Sequence, residues 1–215
     1  MKNVAVVLSG CGFKDGAEIT EAVSTLIALS EFGAHYQVFA PNMDVTSTNH
    51  LQDSSGETRN LMVESARIAR GDVKDIKTLN SDQFDAVVFP GGFGAALHLC
   101  NWAQNGAACT VNPEVEKTIK AFYSQSKPIG AICIAPALIA RVLGEHGVTV
   151  TIGNDKETAQ EIGKTGAQYV ECAVDDYVTD RERKVITTPA YMYDAKPNQV
   201  FTGVRKAIKE LVEMA

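Results

Sequence analysis

The chain has 215 residues, of which 45% are hydrophobic and 21% charged, and it carries a formal net charge of -6. That balance excludes a disordered chain and a membrane protein, and the negative charge argues against nucleic acid, which needs clustered Lys and Arg to displace counterions. No Pro/Gly/Ser-rich linker interrupts the sequence, so residues 1–215 are expected to form a single domain.

Taken in chain order, residues 4–8 form a short β-branched strand that runs into Ser9-Gly10. Residues 18–32 show a helical repeat through Ile19, Val23, Leu26 and Ile27 and close at Gly33. Residues 36–40 read as a second strand, and 42–60 as a long polar loop with few apolar anchors. A helix is expected over 61–70, and a buried strand over 84–89 that stops at Pro90-Gly91-Gly92. Helix 114–125, strand 128–132 and helix 135–143, ended by Gly144, follow. Strand 148–152, helix 156–163, strands near Tyr169 and over 174–178 and 185–188, and a last helix over 198–214 complete the alternation. Alternating β and α elements predict a largely parallel sheet covered by helices on both faces.

In such sheets ligands bind beyond the carboxyl ends of the strands, so the residues just after each strand carry the functional information. Ala131-Ile132-Cys133-Ile134-Ala135 has small residues two places to either side of a cysteine, as a nucleophile elbow requires, and Pro136 opens the helix behind it. The positive end of that helix is expected to favour a Cys133 thiolate near neutral pH. Gly91 and Gly92, with the N–H of Ile134, are candidate donors to an oxyanion. Glu18 and Glu21 open the helix after the first strand, where capping is the default role, but Glu21 can also point across to Cys133 as an acid or base.

The remaining candidates carry less. His98, Arg59 and the Asp175-Asp176 pair are read as structural or surface residues, and Cys11 as a small residue beside a glycine turn. Gly10-x-Gly12 lacks the continuation of a nucleotide loop. The five cysteines contain no C-x-x-C pair, which fits free thiols in a reducing compartment, and no export signal is visible, so a cytoplasmic protein is expected.

Gly16-Ala17-Glu18-Ile19-Thr20-Glu21, Gly91-Gly92 and Ala131-Ile132-Cys133 together resemble the DJ-1/PfpI superfamily. Leu8-Ser9-Gly10-Cys11-Gly12, Glu57-Thr58-Arg59-Asn60, Pro90-Gly91-Gly92-Phe93-Gly94-Ala95-Ala96, Thr151-Ile152-Gly153 and Thr187-Thr188-Pro189-Ala190-Tyr191-Met192 look like its ElbB/ES1 branch. The resemblance implies a flavodoxin-like three-layer sandwich of the class I glutamine amidotransferase type, and a homodimer. It implies a cofactor-free glyoxalase acting on a small reactive aldehyde, glyoxal or methylglyoxal, with Cys133 as nucleophile and Glu21 as its acid/base partner. Alternatives within the same resemblance are a regulatory or redox-sensing protein and a small-molecule amidase or deglycase. Many members place a histidine directly after the cysteine or about a helix and strand later. Here Ile134 and Thr151-Ile152-Gly153-Asn154-Asp155 stand in those places, which disfavours a Cys-His-Asp protease and implies a weak activity.

Overall fold

In the computed structural model, which describes residues 1–215, β1 (Asn3–Val7) is buried from Val4 onward and feeds α1 (Ile19–Glu31). Glu18 caps that helix by accepting a hydrogen bond from the Glu21 N–H at 2.7 Å. The chain then returns as β2 (His35–Ala40), parallel to β1. Residues 42–60 are not a loop. They form an antiparallel hairpin of β3 (Asp44–Asn49) and β4 (Ser54–Asn60), tied by the Ser47 hydroxyl to the Glu57 carbonyl at 2.8 Å. Its strands leave most side chains in solvent, so no apolar alternation marks them in the sequence. Asn60 caps α2 (Leu61–Ile68), and the short edge strand β5 (Val73–Asp75) follows.

β6 (Ala86–Phe89) is buried along its whole length and leads through a π-helical turn (Ala95–Leu99) and α3 (Trp102–Asn105) to α4 (Pro113–Ser124). β7 (Ile129–Ile132), equally buried, runs into α5 (Ala135–Leu143). Strands buried on both faces need uninterrupted apolar side chains, which is why these two were legible as solid runs. β8 (Thr149–Val150) and β9 (Gln168–Tyr169), joined by α6 (Lys156–Lys164), pair only with each other in a small parallel sheet. Only Val178 of the strand expected over 174–178 lies in β10 (Val178–Asp180), because Val174 and Asp175 form a turn closed by the Asp176 N–H on the Ala173 carbonyl at 3.1 Å. β11 (Val185–Thr188) and α7 (Pro197–Met214) end the chain.

The main sheet has the order β10-β11-β7-β6-β1-β2-β5, and every neighbouring pair is parallel except β10 with β11. Val4, Val6 and Val88 pack with Ala22, Leu29, Val204 and Ile208 beneath α1 and α7, while Val7, Val87 and Phe89 pack with Ile119, Phe122 and Leu138 beneath α4 and α5. This is the expected flavodoxin-like α/β/α sandwich. The chain goes from β1 outward to β2 and then back across to β6, so the crossover reverses at β1 and opens a crevice at its carboxyl edge.

One helix sits otherwise than its pattern suggests. The residues of α1 that face inward are Glu21, Ala22, Ser24, Thr25, Ala28 and Leu29, whereas Ile19, Val23 and Ile27 are exposed by 49%, 38% and 50%. Small side chains let α1 lie close to the sheet and to α7, and the bulky row is left outside.

Candidate active site

The carboxyl ends of four neighbouring strands deliver the parts of the site. After β7 the backbone turns so sharply that Cys133 adopts φ +62°, a left-handed conformation that a residue with a side chain holds only at a cost of about 1–3 kcal/mol. Its N–H is fixed to the Thr188 carbonyl of β11 at 2.9 Å. After β6, Gly91 has no room for a side chain: an added Cβ would collide with Cys133 and stand 2.6 Å from Glu21 Oε2. Gly92 takes φ +94° and is backed by the Gly16–Glu18 backbone, so glycine is required there twice over. Beyond β11, Ala190 is held at φ +44°, a third unusual backbone bend at the same edge.

Glu21 lies at the centre and is completely buried. Its Oε2 accepts from the Gly91 N–H at 3.1 Å and its Oε1 from the Tyr191 N–H at 3.2 Å, and the Cys133 side chain lies beside the same carboxyl group, both of them pressed against Gly91. Burial, reinforced by the charge of Glu18, pushes the Glu21 carboxyl up to about 8 against the two backbone hydrogen bonds that favour the anion. Burial and the neighbouring Glu21 charge likewise raise the Cys133 thiol, although the Gly92 and Ile134 N–H groups point at the sulfur. Two anions cannot share so dry a space, and the pair holds at most one negative charge in the neutral range. The thiolate expected from the helix dipole is therefore corrected: Cys133 is 7% exposed, and desolvation beside a carboxyl group outweighs the end of α5.

The sequence-predicted residues thus converge, with one change of role. Cys133, Glu21, Gly92 and Ile134 meet at one point. Gly91 belongs there too, but its N–H is engaged by Glu21, which leaves Gly92 and Ile134 as the N–H groups directed at sulfur. Of the two glutamates at the start of α1, Glu18 takes the capping role and Glu21 turns to the sulfur. His98 is turned away, with Nε2 3.1 Å from the Asp15 carbonyl, and Arg59 is paired with Glu57 and Glu64 at 3.0 and 3.5 Å. Cys11 lines a separate small cavity under the β3–β4 hairpin. Sequence reasoning assigned no role to Tyr191 and Thr188, because they act through backbone atoms, which side-chain identity does not reveal. Nor did it single out Phe13, Phe93, Met192 and Asp155, which wall a cavity of about 530 Å³ opening on Cys133.

An open parallel sheet whose carboxyl edge presents a cysteine on a strained turn, against a buried carboxyl group, defines a cysteine-elbow α/β protein. The chain belongs to the DJ-1/PfpI family, whose sequence profile matches residues 11–195. It is 43% identical over 98% of its length to human "Glutamine amidotransferase-like class 1 domain-containing protein 3, mitochondrial", 82% of which is covered. It is 36% identical over 99% of its length to the zebrafish (Danio rerio) "ES1 protein, mitochondrial", 86% of which is covered. Among solved structures, an "isoprenoid biosynthesis protein with amidotransferase-like domain" from Ehrlichia chaffeensis superposes with a TM-score of 0.94 at 37% identity, over 100% of this chain and 99% of that one. Both curated relatives are named mitochondrial, which overturns the cytoplasmic expectation. Free thiols indicate a reducing milieu but do not tell one such compartment from another.

Proposed function

We propose that the protein is a cofactor-independent enzyme that converts an α-oxoaldehyde, glyoxal or methylglyoxal in the simplest case, to the corresponding hydroxy acid. The observation that carries this reading is the Cys133 side chain at the floor of an open cavity with the buried Glu21 carboxyl group against it, the two flanking Gly91 so closely that no side chain fits between them. The Glu21 carboxylate takes the thiol proton as sulfur adds to the aldehyde carbon, and the Gly92 and Ile134 N–H groups receive the developing alkoxide. Glu21 returns that proton to the alkoxide oxygen to give the hemithioacetal, and its carboxylate then carries a proton from the former aldehyde carbon to the neighbouring carbon through an enediol, leaving a thioester. Water hydrolyses the thioester, so one water is consumed and no electrons enter or leave.

Two features weigh against amide hydrolysis as the main activity. No histidine lines the cavity to protonate an amine leaving group, and Glu21 reaches the sulfur from the buried side. A homodimer belongs to the same proposal, supported by the exposed Ile19, Val23 and Ile27 row on α1.

Purified protein should form lactate from methylglyoxal, with Cys133→Ala abolishing turnover and Glu21→Gln reducing it by about 10²-fold or more, the usual worth of a positioned acid or base. Equal rates in all three samples would refute the reading. If Glu21 must be ionised to take the proton, kcat/KM rises through neutral pH to a plateau above about 8, and Glu21→Gln loses that limb.

A further inference from the structure

The cavity above Cys133 is built for more than the simplest aldehydes. Its volume of about 530 Å³ lies in the roughly 300–1,000 Å³ range of sites that enclose ligands of ten or more heavy atoms, and methylglyoxal would leave most of it to water. Phe13, Phe93, Ile134, Tyr191 and Met192 supply apolar walls. Phe13 and Phe93 stand at its rim, 46% and 53% exposed, and are tied together by the Phe93 N–H donating to the Phe13 carbonyl at 2.7 Å. An apolar ligand would cover both rings.

The charges in the cavity point the same way. Its only ionisable groups apart from the thiol and Tyr191 are the carboxylates of Glu18 and Asp155, and no Lys, Arg or His reaches it. Each carboxylate caps a helix, Glu18 on α1 and Asp155 on α6, where it accepts from the Glu157 and Thr158 N–H groups at 3.0 and 3.2 Å. Those two positive helix ends are therefore already answered. The start of α5, by contrast, has no side-chain cap; Pro136 lacks an N–H and the Ala137 N–H is bonded to the Ile134 carbonyl at 3.0 Å, so the N–H groups of Ile134 and Ala135 are what make this end, beside the sulfur, electropositive. An incoming anion would meet two carboxylates along the walls; the nearest cation, Lys14, stands outside them with Nζ 5.6 Å from the Phe13 ring, and it is already paired with Asp53.

We infer that the site takes an uncharged carbonyl compound with an aryl or branched-alkyl body, its carbonyl at the open end of α5 and its body between Phe13 and Phe93, in preference to two- or three-carbon aldehydes and to anionic substrates. This rests on the thiol chemistry proposed above but is testable without turnover. Cys133 is alkylated with iodoacetate, iodoacetamide and 2-iodo-N-benzylacetamide, the adduct is located by mass spectrometry, and each rate is divided by the rate for free glutathione. The benzyl reagent should be favoured over iodoacetamide by at least about tenfold, given the apolar area it buries, with iodoacetate slowest. The Phe13→Ala/Phe93→Ala double variant should lose most of the benzyl preference while keeping the penalty on iodoacetate. Equal normalised rates, a preference for iodoacetate, or no adduct at Cys133 with any reagent would overturn the inference. A benzyl preference in a protein that turns over neither methylglyoxal nor phenylglyoxal would leave it standing while removing the glyoxalase reading.

Discussion

Glu21 illustrates how much one side chain can cost and why it is kept. An ordinary glutamate titrates near 4.5, and this one is pushed up to about 8. Between those values the folded protein holds a proton that the unfolded chain has released, so stability is greatest at low pH and falls as pH rises through the window. The loss is on the order of a few kcal/mol by pH 8. Thermal unfolding followed from pH 5 to 8 should show a falling Tm, and Glu21→Gln should flatten the slope. Gly91 is the complementary case. Gly91→Ala drives a methyl group into Cys133 and Glu21, both fixed by backbone hydrogen bonds. It is expected to cost about 3 kcal/mol or more, at or beyond the upper end of overpacking penalties, and to abolish turnover, as a denaturant titration with a rate assay would reveal. Cys133 and the glycines could be read from the sequence because an elbow demands small neighbours and a turn demands Gly. The protonation state of Cys133 could not, because it depends on a carboxyl group 112 positions away in the chain and on how dry the space between them is.

At the level of elements, α1 shows the limit of periodicity. A row at Ile19, Val23 and Ile27 identifies a helix correctly but not the side it buries, since the sheet and α7 accept the small residues of the opposite face. An Ile27→Asp substitution should accordingly leave the monomer's stability nearly unchanged, while sedimentation velocity registers a shift toward monomer if this row joins two copies. The β3–β4 hairpin was hidden for the opposite reason, having no buried face to impose an alternation. Asn112 precedes Pro113 and accepts from the Glu114 N–H at 3.0 Å, so Asn112→Ala should destabilise α4 by about 1 kcal/mol in equilibrium unfolding.

For the molecule as a whole, the alternation of elements was enough to anticipate a parallel sheet between two helical layers, because buried parallel strands advertise themselves as unbroken apolar runs. The order of those strands was not legible, since it is set by which helix crosses which face. Burial also grades local stability. Amide exchange should be slowest in β1, β6, β7 and β11 and fastest across residues 44–60. The two backbone attachments of Glu21 have one further consequence. They join α1 to loops 70 and 170 positions downstream, and the Cys133 amide is anchored to Thr188, so the surroundings of the sulfur are completed only when the last strand docks. A chain still lacking its final thirty or so residues, as during synthesis at about 5–20 residues per second, would carry this sulfur as an ordinary accessible thiol. Its loss of reactivity toward a bulky charged reagent is thus a clock for the moment the C-terminal segment closes on the rest.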